Sequence, residues 1–175
     1  HQWLAATLSR GCGPFDHRQL ADLVEGRGAG LRSDAHEDGL LISLRCTSED
    51  AQDLMPLLDW MVTAPHLATE QLELERSLSL QALQRQQEDP FQLAIDQWRQ
   101  LVYGSTGYGH DPLGVRDDLQ QLDEYTLKTL ARQLTTGRSV LAISGTWPSS
   151  LDDTLLKRTG AVSYTHLRAH ETPCH

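Results

Sequence analysis

Apolar residues recur at helical spacing through most of this chain and alternate in only one stretch. Residues 2–8 read as the end of an apolar helix, closed by Gly11 and Gly13. Asp16 opens a second helix, with Gln19 placed for a capping box and Leu20, Leu23 and Val24 on one face; Gly26 and Gly28 stop it. Residues 29–35 and 40–46 then predict two strands around the turn His36-Glu37-Asp38-Gly39. In the second strand Leu40, Ile42, Leu44 and Cys46 face one way, while Ser43 and Arg45 face the other.

The helical period returns after Thr47-Ser48-Glu49-Asp50, a helix-start cluster. Leu54, Leu57, Leu58 and Met61 supply a stripe, Pro56 implies a kink or a late start, and Pro65 ends the element. Thr69 is expected to cap a long helix over 69–88, with Leu74, Leu78 and Ala82 along one buried ridge. Asp89-Pro90 is an N-cap followed by proline at the first helical position. That helix carries Phe91, Ala94, Ile95, Trp98, Leu101 and Val102 at 3.6-residue spacing, which puts Trp98 in the core, and it stops at Gly104. Asp123 opens a last helix bearing Leu127, Leu130, Ala131 and Leu134. The apolar run 139–144, SVLAIS, predicts a buried central strand. A hairpin followed by a run of helices predicts an α+β fold, an antiparallel sheet covered on one face by helices.

Composition narrows the picture only a little. The 175 residues are 39% hydrophobic and 22% charged, enough for one domain with a real core. A net charge of −9 argues against nucleic acid or an anionic membrane as partner. No apolar run reaches the roughly 20 residues of a membrane span. Cys12, Cys46 and Cys174 make no metal-type pair and no disulfide framework, which favours a reducing, cytoplasmic compartment. No targeting segment is visible; the chain opens at His1 inside a helical pattern, so an upstream portion is expected.

The most metal-like spacing, His166 and His170 beside Glu171, is set aside. Residues 162–172, VSYTHLRAHET, resemble one reading frame of an adapter used in preparing sequencing libraries. Residues 162–175 are therefore expected to be a non-native tail, leaving 1–161 as the domain.

The stretch from Leu72 to Gly114 carries the strongest pattern: a helix with Glu75-Arg76, Asp89-Pro90 opening a second helix, then Tyr103-Gly104 through Gly109-His110 to Gly114. With Gly11, Gly28-Ala29, the hairpin and Pro65 before it, this order resembles the pitrilysin family, which includes insulinase and mitochondrial processing peptidase. The resemblance spans residues 2–145. It implies one half of a processing-peptidase-like clam, in which only one of two similar halves bears zinc. Active members carry H-x-x-E-H on the first helix and a distal glutamate on the Glu-Arg helix. By that register the metal and base positions fall on Gln2, Ala5, Ala6 and Ala82, none of which is a zinc donor of the family's kind. The resemblance thus implies a metal-free half or subunit, with no cofactor of its own. It would work with a zinc-bearing catalytic half or partner subunit on unfolded peptides. Two alternatives share the fold: a single-chain active zinc metalloendopeptidase with H-x-x-E-H upstream of His1, and a structural or binding protein with no peptidase role.

Other chemistry-bearing residues have plainer readings. His36-Glu37-Asp38 is expected to be a solvated turn. His66 and Glu70 flank a helix start, where Glu70 complements the helix dipole. His110-Asp111 lies in a glycine-rich loop that lacks the Lys-Ser/Thr of a phosphate cradle. Cys12, between two glycines, has no His or Asn pattern that would make it a nucleophile.

Overall fold

The structure is a computed structural model and describes residues 1–146. The expected tail, with His166, His170, Glu171 and Cys174, lies outside the described residues. The fold is α+β. Helix α1 (Gln2–Leu8) leads into the short strands β1 (Gly11–Cys12) and β2 (Phe15–Asp16) and then helix α2 (His17–Glu25). The hairpin β3 (Gly30–His36) and β4 (Gly39–Arg45) follows. Helices α3 (Ala51–Leu54), α4 (Pro56–Thr63), α5 (Thr69–Gln86) and α6 (Pro90–Tyr103) come next, and then α7 (Arg116–Gln121) and α8 (Glu124–Leu134).

Local chemistry explains most of these boundaries. Asp16 accepts from Arg18 N and Gln19 N, both at 2.9 Å, and Gln19 returns the bond to Asp16 N at 3.0 Å. This is the reciprocal capping box that the sequence predicts. Pro56 divides its segment into two helices, since it cannot donate to the preceding turn. Asp89 caps α6 by accepting from Phe91 N at 2.9 Å, with Pro90 beside it in the first turn. Asp123 caps α8 through Thr126 N at 2.8 Å.

The hairpin is antiparallel from Gly30↔Arg45 to His36↔Gly39, so Glu37 and Asp38 form a two-residue loop. Leu40, Ile42 and Leu44 face the core, and the intervening residues are exposed, as the alternation requires. Two features went unanticipated. Short β1–β2 pairing turns the chain at Gly13, where a Cβ would sit 2.7 Å from the Trp60 ring. Helix α7 buries only Leu119, too little apolar periodicity to announce it.

The core gathers Trp3, Leu4, Leu8, Leu20, Leu54, Leu57, Met61 and Leu72, all nearly inaccessible. Three expectations need correction against it. Ala68, not Thr69, is the N-cap of α5; the Thr69 hydroxyl instead donates to Glu124 Oε2 at 2.9 Å, tying α5 to α8. The buried side of α5 carries Gln71, Leu72, Glu75, Ser79 and Leu83, whereas Leu74 is 45% and Leu78 39% exposed. Ala82 is only half-buried. On its buried side Glu75 pairs with Arg10, just after α1, and the Leu72 carbonyl accepts from Trp3 of α1. Trp98 is 54% exposed, on a helix that buries no residue. Its ring meets Tyr103, the last residue of the same helix, edge-on at 6.0 Å, and Tyr103 in turn meets Tyr108 of the following loop at 5.7 Å.

The run 139–144 is not a strand, and Val140 is 87% exposed. Among the described residues the strands close into two separate pairs, β1–β2 and β3–β4, and neither pair takes this run as a third strand. An apolar run fixes a tendency to be covered; pairing needs a neighbouring edge.

Candidate functional site

The residues that the family resemblance puts at metal positions lie on two packed helices. Gln2, Ala5 and Ala6 share one side of α1 by their i, i+3, i+4 spacing. Ala82 lies on α5, which packs against α1. Ala5 is fully buried and Ala6 half-buried. The Gln2 amide oxygen accepts from Ala35 N at 3.3 Å, so it serves β3. Three alanine side chains offer no lone pair, and the one amide is already engaged by the sheet. This donor set does not fit zinc. Among the described residues, no three His, Cys, Asp or Glu side chains converge as a metal cluster would require.

What joins α1 to α5 instead is a set of structural contacts. Trp3 Nε1 donates to the Leu72 carbonyl at 2.8 Å, and within α1 the Thr7 hydroxyl donates to the Trp3 carbonyl at 2.6 Å. The Arg76 guanidinium lies over the Trp3 ring, 4.6 Å from its centroid, and donates to the Leu122 carbonyl at 2.5 Å. Buried Glu75 accepts from Arg10 Nε at 2.6 Å. The Glu-Arg pair on α5 is therefore a clamp whose two members hold different parts of the body. Its sequence trace is the polar series Gln71, Glu75, Ser79, readable as buried only once Arg10, far away in sequence, is known to face it.

The remaining candidates fall into structural roles. The turn carboxylates are engaged by neighbouring elements: Glu37 pairs with Arg99 at 3.1 Å, and Asp38 accepts from the Tyr108 hydroxyl. The turn is exposed, as expected, and its carboxylates also tie it to α6 and the loop after it. The Asp38 contact pushes the Tyr108 phenol above its usual range. His66 Nε2 meets the Gly13 carbonyl at 2.7 Å, and Glu70 lies in the first turn of α5. Asp111 accepts from Gln86 at 2.8 Å and Gln92 at 3.2 Å, and caps Leu113 N at 2.8 Å. It borders an open cleft of about 420 Å³ lined by Arg85, Gln86, Asp89, Gln92 and Leu113. Nearby Asp96 is raised above the ordinary aspartate range, first by desolvation and then by the Asp111 charge. Burial raises the Cys12 thiol to about 11, so it stays protonated at neutral pH and is a poor nucleophile. Desolvation also raises Cys46, with Asp50 adding to it.

Gly109 fixes the loop after α6. A Cβ there would lie 2.0 Å from the Gly104 carbonyl oxygen, so no other residue fits this closure. The loop thus doubles back on the end of α6 and does not form a phosphate cradle. No helix among the described residues is long and apolar enough to cross a membrane.

No family model matches the chain, and no curated protein matches it. Solved structures do. A peptidase M16 inactive domain from Pseudomonas fluorescens superposes with a TM-score of 0.67 at 24% identity, over 73% of this chain and 32% of that one. The matched part of the chain thus has an M16-like fold. A ferredoxin protease solved in complex with Arabidopsis ferredoxin matches with a TM-score of 0.50 at 14% identity, over 76% of this chain and 15% of that one. The chain thus spans about a third of the length of the M16 inactive domain and a smaller share of the protease.

Proposed function

We propose that this chain is part of a non-catalytic half, or subunit, of a zinc-dependent pitrilysin-type peptidase. It would shape the chamber and help hold extended, unfolded peptides beside a zinc-bearing catalytic half. The observation that carries this reading is the state of α1. The helix that the resemblance matches to the family's metal-motif helix is a packed core helix, and by that register alanines take two of its three chemical positions. The third, Gln2, closes a sheet edge. The M16 inactive-domain fold supports the same reading at the level of architecture.

Peptide holding would use main-chain hydrogen bonds, since an extended chain can add to the outer edge of β4, which pairs only with β3 among the described residues. A structural or binding role on the same fold is the second reading, favoured by the exposed apolar side of α6.

The test is to dialyse the purified chain against zinc, measure bound metal by mass spectrometry, and assay an unfolded fluorescent peptide for cleavage and for anisotropy. The expected result is no stoichiometric zinc, no cleavage, and weak saturable peptide binding. One tightly bound zinc together with cleavage would overturn the non-catalytic assignment. Absence of peptide binding would leave the second reading.

A further inference from the structure

We draw no further inference here: the strongest candidate, the open cleft between the end of α5, the start of α6 and the loop after it, has its carboxylates Asp89 and Asp111 already accepting from Phe91 N, Leu113 N and the Gln86 and Gln92 amides, and nothing in the structure shows what fills it.

Discussion

Helices α1 and α6 are both rich in apolar residues and both end at glycine-bearing turns, yet the molecule uses them in opposite ways. On α1 nearly every residue is buried, and the helix is tied to α5 by Trp3, Arg76 and the Arg10–Glu75 pair. On α6 nothing is buried; its polar side is tied through Arg99 to Glu37 and to the His110 carbonyl, and its aromatic end meets Tyr108 of the following loop. Amphipathic spacing states that a helix has a side in need of cover. It does not state whether the cover lies within the same folded unit. The less regular helix here is the core, and the regular one is the surface.

Substituting the two tryptophans should separate these roles most sharply. Trp3→Ala removes a large buried side chain and its hydrogen bond, and is expected to cost about 3–5 kcal/mol. Trp98→Ala is expected to cost less than about 1 kcal/mol in the monomer. Urea unfolding of both variants measures the difference, and similar losses would erase the contrast.

The ion pairs should repeat the contrast at smaller scale. Glu75→Ala strands the Arg10 charge, but Arg10 is partly in water, so the expected loss is about 2 kcal/mol, below that of a fully buried pair. Arg99→Ala should cost under about 0.5 kcal/mol, as for a surface pair. A double-mutant cycle with Arg10→Ala would show whether the first value belongs to the pair.

The smallest effect concerns Asp96, whose folded-state pKa is raised. A carboxylate raised on folding opposes stability while it is charged, and the penalty fades as pH falls through its folded value. Asp96→Asn should therefore raise the urea midpoint slightly at neutral pH. The gain should vanish once the pH lies below the ordinary aspartate range. A variant that gains nothing at neutral pH would mean the carboxylate is better solvated than its contacts imply.

Boundaries were the legible part of this fold, because they are set by neighbours in sequence. The Asp16–Gln19 box, the Asp89-Pro90 start and the Asp123 cap all act within three residues, and the hairpin's face follows from simple alternation. What failed was the choice of buried side, which depends on distant partners. Leu74 and Leu78 form a plausible ridge, but it is Glu75 that lies on the buried side, paired with Arg10; Trp98 fits a core until α6 is found to meet its own loop. Residues 139–144 had the composition of a strand without an edge to join. At the candidate site, sequence could show which donor atoms are missing. It could not show that the Gln2 amide is occupied by Ala35.

The hairpin joins the two contrasted helices. Its strands run about 20 Å, at roughly 3.3 Å per residue. One end is gripped by α6 and its loop through Glu37 and Asp38, and just below that grip Gln2 of α1 reaches in to hold Ala35. The surface helix and the core helix thus meet the hairpin at the same end, within three residues of each other.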